Sequence, residues 1–143
     1  FNHCHMIQFY FTLFLSLLSS AAHAQLFHGD SLQFCGQGNH VEKMHSDSNC
    51  SSFMIWVNHE VKPHRHNYHS EHVYVTEGEG TMMLGEELIQ IKEGDIIAIP
   101  KGTIHAVEPF KGITLKVISI QSPEFKGKDR EFIALENWLN QVK

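Results

Sequence analysis

The most informative segment of this chain is Pro63-His64-Arg65-His66-Asn67-Tyr68-His69-Ser70-Glu71. In an extended strand, the side chains of residues i and i+2 leave the same face. We therefore expect His64 and His66 to converge on one point while Arg65 points away from it. Glu71 can reach the same point from the next strand, which would place two imidazoles and a carboxylate together.

A second stretch adds a third imidazole, and it reads Gly94-Asp95-Ile96-Ile97-Ala98-Ile99-Pro100-Lys101-Gly102-Thr103-Ile104-His105. Three imidazoles and one carboxylate suit one divalent transition metal. The spacing therefore predicts a metal site built from His64, His66, Glu71 and His105. Imidazole binds most first-row metals, so Mn, Fe, Co, Ni, Cu and Zn all remain candidates.

The two stretches resemble the paired motifs of the cupin superfamily. The family's first motif is Gly, five residues, His-x-His, three or four residues, Glu, six residues and Gly, and here it ends at Gly78. The second is Gly, five residues, Pro-x-Gly, two residues, His, three residues and Asn. Asn58 stands where the first Gly is expected, a position at which asparagine tolerates a left-handed backbone. Pro109 stands where the final Asn is expected, and residues 122–130 resemble the tail of many small cupins.

The resemblance implies an all-β fold, a single cupin-type jelly-roll β-barrel with the metal inside it. We assign residues 53–130 to the barrel, residues 25–52 to a loop-rich N-terminal extension with room for a short strand, and residues 131–143 to a C-terminal segment. The apolar patterns predict a buried strand at 96–99 and the longest strand at 113–120. Phe132, Leu135 and Leu139 recur near helical spacing, which indicates a short C-terminal helix.

Residues 1–24 have the pattern of an export signal. An apolar run at 9–18 is followed by Ala22-His23-Ala24, the small-x-small pattern of a cleavage site, although no Lys or Arg precedes the run. We therefore expect cleavage after Ala24, a periplasmic or extracellular location, and no membrane association of the mature chain. The alternative is a disordered or membrane-associated hydrophobic tail.

Cleavage after Ala24 would remove Cys4 and leave Cys35 and Cys50. Two cysteines in an exported domain favour one disulfide between them. Two free thiols or a thiolate metal site are the alternatives.

The composition narrows the class of partner. The 143 residues carry a formal net charge of -5, which argues against a nucleic-acid partner. Two function classes remain: a metal-dependent enzyme acting on a small molecule, or a non-catalytic cupin that binds a small ligand or metal. Within the first class, a dioxygenase-like or oxalate-oxidase-like oxidoreductase is favoured over an isomerase. In a third interpretation, the metal only stabilises the barrel.

Beyond the four ligands the sequence identifies no catalytic residue. His69 is a candidate for contact with the ligands or the substrate, and Tyr68 for the mouth of the site; either can also be an ordinary loop or packing residue. Many cupins are dimers, so the resemblance also implies a homodimer as a candidate assembly.

Overall fold

Two five-stranded antiparallel sheets form the computed structural model, which describes residues 24–29 and 31–134. The first sheet has the order β1-β2-β9-β4-β7, with β1 at His40–Ser46, β2 at Ser51–Val57, β9 at Leu115–Ser122, β4 at Ser70–Glu77 and β7 at Ile96–Ile99. The second has the order β10-β3-β8-β5-β6, with β10 at Glu131–Phe132, β3 at Val61–Arg65, β8 at His105–Pro109, β5 at Glu79–Leu84 and β6 at Glu87–Lys92. The prediction of an all-β jelly-roll barrel is confirmed.

The hydrophobic core lies between the sheets, where alternate residues of each strand point inward. Along β4, Glu71, Val73 and Val75 face the core, whereas His72 and Tyr74 face outward. Val75 packs in a buried cluster that both sheets supply, with Val57, Met82, Ile91, Ile97, Ile99, Leu115 and Val117. Burial of these side chains is the main favourable contribution to folding, and it fixes which face of each strand points to the interior.

Several strands differ in extent or exposure from the sequence prediction. The stretch at 96–99 is a strand, but it is not buried throughout, because Ile96 is 73% exposed at the edge of the sheet. The strand predicted at 113–120 instead spans Leu115–Ser122. β1 and β10 lie outside residues 53–130, and each pairs with a barrel strand, β1 with β2 and β10 with β3.

The conformation of Gly78 explains why the first motif ends in a glycine. Its φ is +83°, in the region that side chains rarely adopt. A Cβ built there would lie 2.3 Å from the backbone oxygen of Thr114. The chain can therefore turn between β4 and β5 beside β9 only with glycine at this position.

Asn58 does not use its tolerance of a left-handed backbone, since no non-glycine residue of the described chain has a positive φ. Its side chain instead fastens the N-terminal segment. The amide nitrogen donates to the Gly38 oxygen at 2.8 Å, and the amide oxygen accepts from the Thr114 hydroxyl at 2.6 Å. The motif glycine would supply conformational freedom at this position, whereas the asparagine side chain supplies hydrogen bonds.

The described residues test only part of the predictions for the chain ends and the cysteines. The export signal lies outside the described residues apart from Ala24, and so do Leu135 and Leu139 of the predicted C-terminal helix, while Phe132 belongs to β10. Cys35 and Cys50 are free thiols in the structure, so the disulfide stays a prediction. No helix within the described ranges is long and apolar enough to cross a membrane.

Candidate metal centre

The four predicted ligands meet between the two sheets. His64 and His105 are direct cross-strand partners in β3 and β8, and His66 follows immediately after β3. Glu71 reaches them from β4 in the opposite sheet. One ring nitrogen from each of the three imidazoles lies within 4.8 Å of the other two, and all three rings are buried. We refer to these residues below as the ligand cluster (His64, His66, Glu71 and His105).

Backbone carbonyls orient each imidazole of the ligand cluster through its Nδ1 atom. Nδ1 of His64 lies 2.8 Å from the Lys62 oxygen, Nδ1 of His66 lies 2.8 Å from the Asp129 oxygen, and Nδ1 of His105 lies 3.0 Å from the Thr103 oxygen. A carbonyl can only accept, so each Nδ1 carries the hydrogen. Each neutral ring then presents its Nε2 lone pair to the centre, as metal-binding histidines do.

The Glu71 carboxylate faces these lone pairs. Its Oε2 atom lies 3.4 Å from Nε2 of His66 and 3.3 Å from Nε2 of His105. Burial alone would raise the pKa of the Glu71 carboxyl, but contacts with His105, His66 and the Ser119 hydroxyl outweigh it and hold the pKa well below its ordinary value. The carboxylate is therefore ionised at neutral pH.

Two residues of β9 hold the other Glu71 oxygen in place. The Ser119 hydroxyl donates to Oε1 of Glu71, and the Gln121 amide nitrogen lies 3.3 Å from the same atom. All three side chains are buried. Because Oε1 is already hydrogen-bonded, Oε2 is the oxygen available at the centre of the cluster.

The ligand cluster fits a bound cation. The Nε2 atoms of His66 and His105 are buried without a hydrogen-bond partner. An unpaired buried acceptor is costly, and an acceptor facing a carboxylate is more so. A divalent cation among these atoms would satisfy the lone pairs and the carboxylate together, and nitrogen and oxygen donors of this kind suit a transition metal.

His64 is held in the neutral form that a metal requires. Burial is the main reason that its pKa falls from 6.5 to about 3, and the neighbouring His105 imidazole contributes further. Its ring stays unprotonated through the physiological range, because water cannot solvate a charge there.

Asp129 fastens the loop that follows β3. Its carboxylate accepts hydrogen bonds from the backbone N–H groups of Asn67, Tyr68 and His69, at 2.9, 2.9 and 3.2 Å. Burial would raise the pKa of the Asp129 carboxyl, but these three donors lower it. The backbone oxygen of the same residue orients His66. Asp129 thus positions His66 although it lies outside the ligand cluster.

The two further residues that the sequence selected lie in different surroundings. The His69 ring is buried, and its Nδ1 lies 2.9 Å from Oδ2 of Asp129. Its centroid is 4.1 Å from that of His66, so it packs directly against a ligand. The Tyr68 side chain is 77% exposed, and only its backbone reaches Asp129.

Sequence reasoning missed Asp129, Ser119 and Gln121. Asp129 lies in the 122–130 stretch that resembles the cupin tail, but nothing in that stretch shows that its partners lie near residue 67. Ser119 and Gln121 share the parity of the inward residues of β9, which was the available signal.

A cavity of about 370 Å³ opens between the sheets beside the ligand cluster. His64, Glu71 and His105 line one side of it. Most of the remaining wall is apolar, formed by side chains that include Val57, Met82, Ile99 and Leu115. The volume is near the lower end of the range for small-molecule sites, about 300–1,000 Å³.

Replacing Asp129 by alanine is expected to weaken metal binding about 10- to 100-fold, the usual effect of losing a residue that orients a ligand. The loop at 67–69 would lose three hydrogen bonds, and the backbone that carries the His66 acceptor would be less firmly held. Competition with a chromophoric chelator measures the affinity. Asp129→Asn should recover part of it, because an amide oxygen can still accept from the loop.

Arg65→Gln provides the matched comparison for Asp129. Arg65 forms an exposed ion pair with Glu131, which lies two residues after Asp129, and Nη2 of Arg65 is 2.9 Å from Oε1 of Glu131. The Arg65 side chain points away from the ligand cluster. The metal affinity of this variant should equal that of the wild type. Equal affinities for Asp129→Ala and the wild type would contradict the role given to Asp129.

Comparison with known proteins shows which family and which proteins this chain is similar to. The family model described as Cupin domain matches residues 51–120. A protein of Aquifex aeolicus (strain VF5) is 33% identical over 89 residues, which cover 62% of this chain and 73% of that protein. A quercetin 2,3-dioxygenase of Bacillus subtilis (strain 168) is 40% identical over 46 residues, which cover 32% of this chain and only 14% of the enzyme.

Solved structures agree with the fold. A conserved protein with a double-stranded beta-helix domain from Klebsiella pneumoniae has a TM-score of 0.66 at 15% identity. The match covers 78% of this chain and 99% of the Klebsiella chain. At that identity the match shows a shared architecture and does not transfer an activity.

Proposed function

Because this chain belongs to the cupin superfamily, we propose that it binds one divalent transition metal in the ligand cluster and acts with it as an oxidoreductase on a small molecule. The observation that carries this proposal is the orientation of the three imidazoles. Each Nδ1 is occupied by a backbone carbonyl, and two of the Nε2 atoms are buried, unpaired and opposed to Glu71. A metal ion is the species that resolves this arrangement.

The chain supplies four ligands, which leaves two positions for substrate or oxygen if the coordination is octahedral. A redox-active metal held there would supply oxygen activation, and a redox-inert one would supply Lewis acidity. The protein's own part is positioning. Ser119 and Gln121 fix the Glu71 carboxylate, and the backbone of Lys62, Asp129 and Thr103 fixes the rings.

An oxidoreductase of dioxygenase type is favoured over an isomerase by the wall of the cavity. Sugar substrates carry hydroxyl groups that need polar partners, whereas Val57, Ile99 and Leu115 offer none. The stretch of local identity with a quercetin 2,3-dioxygenase supports the same choice. The alternative is a cupin that binds a small ligand or a metal without turnover.

Elemental analysis of the purified protein, followed by oxygen-electrode measurements, tests the proposal. We expect close to one equivalent of a single metal, namely iron, manganese or copper. The loaded protein should consume oxygen when it meets an acceptable compound from a panel of small oxidisable acids and enols. Metal bound without oxygen consumption would favour the non-catalytic alternative, and a redox-inert metal with turnover would favour the isomerase. Failure to take up any metal on reconstitution would refute the metalloprotein.

We also propose that the protein is exported and acts after cleavage behind Ala24. The support is the apolar run at 9–18 and the Ala22-His23-Ala24 pattern. Mass spectrometry of the protein recovered from the periplasm or the medium should give a chain that starts at Gln25. A full-length chain found only in the cytoplasm would contradict export.

A further inference from the structure

Arg130 lines the cavity near the ligand cluster and has no assigned task. Within the described residues it makes no hydrogen bond or ion pair, although the structure places it beside His64, where its charge helps to keep the imidazole neutral. Arg65, by contrast, is held by Glu131 through two contacts at 2.9 and 3.0 Å. A guanidinium that is left free at a cavity wall is available to a ligand.

The positive charge at the mouth of the cavity is a local feature and does not follow from the overall composition. The chain carries a net charge of -5. Yet the cavity lining contains Arg130 and Lys62 against one acidic residue outside the ligand cluster, Glu60. Lys62 precedes His64 by two residues on β3, so both cations lie near the metal ligands. The ionised Glu71 balances part of this charge, but it is buried among the imidazoles, whereas Lys62 and Arg130 are exposed at the mouth, where an anion can reach them.

The rest of the cavity favours an apolar body. Its inner wall is mainly aliphatic, and two exposed apolar side chains lie at the rim. Val41 is 52% exposed and Phe132 is 62% exposed, and both line the cavity. The Phe132 ring centroid lies 6.0 Å from that of His64. A ligand that covered these side chains would remove apolar surface from water.

We propose that the cavity selects a small organic carboxylate with a compact apolar or aromatic body. Its carboxylate pairs with Arg130, and its body lies between the sheets beside the ligand cluster. The planar fork of arginine matches a carboxylate with two parallel hydrogen bonds. This assignment deepens the proposed function and rests on it for the reaction, but the pairing with Arg130 requires no metal.

Calorimetric titration with benzoate and with the neutral isostere benzamide tests the assignment on the full chain, both metal-free and zinc-loaded. Benzoate should bind the metal-free wild type about 10-fold or more tightly than benzamide, since a charge-assisted hydrogen bond contributes at least that factor. Arg130→Gln should lose this preference, with benzoate binding about 10-fold weaker and benzamide unchanged. Arg130→Lys should retain part of it.

Lys111→Gln is the matched control, because it removes one positive charge from an exposed site that does not line the cavity. Its benzoate affinity should equal that of the wild type. Equal binding of benzoate and benzamide by the wild type, no binding of benzoate up to 10 mM, or an unchanged benzoate affinity in Arg130→Gln would each overturn the assignment.

The two proposals fail separately. A protein that takes up no metal but still shows the Arg130-dependent preference would refute the metalloprotein and leave the anion site standing. A protein that holds its metal but does not distinguish benzoate from benzamide would do the reverse. Zinc is used for the loaded form because it has no redox chemistry of its own.

Discussion

Replacing either His64 or His105 by alanine is expected to abolish stoichiometric metal binding. Each residue supplies one buried imidazole to the ligand cluster, and the two are cross-strand partners whose ring centroids lie 4.2 Å apart. The loss of affinity should exceed the roughly 100-fold upper limit for residues that only orient a ligand. Elemental analysis after dialysis and a chelator competition both measure it.

His72→Ala is the control for these variants. His72 lies next to Glu71 in β4 but faces outward and is exposed, so it removes an imidazole from the same strand without touching the cluster. Its metal content should match that of the wild type, and circular dichroism should show the same fold for all three variants. A full equivalent of metal in His64→Ala or His105→Ala would show that the metal binds elsewhere.

The second large effect is a loss of stability in acid by the metal-free protein. His64 has a pKa of about 3 in the folded chain and an ordinary value of 6.5 when unfolded. Below pH 6.5 the unfolded chain therefore binds a proton that the folded chain does not, and stability falls as the pH falls toward 3. The linkage is about 1.4 kcal/mol per pH unit, or about 2–3 kcal/mol between pH 7 and 4.5.

Other groups change stability in the same direction. Burial lowers the pKa of His69, and the pKa of Glu71 is held below its ordinary range despite burial, so its contribution is lost as the pH falls below about 4.5. Urea unfolding of the metal-free protein at pH 7, 6, 5 and 4.5 measures the slope. His64→Gln, which cannot be protonated, should show a shallower decline. A free energy of unfolding that is constant from pH 7 to 4.5 would rule this linkage out.

Metal binding should accentuate this pH dependence, because protonation of the ligands competes with the metal. The metal adds stability only where it is bound, so the loaded and metal-free proteins should differ most near neutral pH and converge in acid. The same urea series on the loaded protein measures the difference.

The sequence was most informative where local geometry decides the outcome. Strand parity predicted that His64 and His66 share one face, and both rings are buried in the structure. The hairpin of β5 and β6 is also a local feature, because it turns at Gly85, whose φ is +59°. These features depend on neighbours within a few residues, and the period of a strand determines them.

The sequence was less informative where distant residues meet. The polar residues around 40–46 gave little sign of β1, which exists because β2 provides an edge to pair with. The contact between Asp129 and the loop at 67–69 joins residues about 60 positions apart. Neither propensity nor periodicity carries that information. The position of Arg130 at the cavity wall likewise cannot be read from the sequence, because the cavity forms only when both sheets are folded.

The segment that contains Asp129 and β10 affects when the candidate metal site can be completed during synthesis. All four predicted metal ligands have been synthesised by residue 105, but the carbonyl that orients His66 belongs to Asp129, 63 positions after His66. A nascent or truncated chain that ends before residue 129 would hold every ligand and still lack a finished site. We therefore expect metal selection to be made by the completed, folded protein, in whichever compartment it folds.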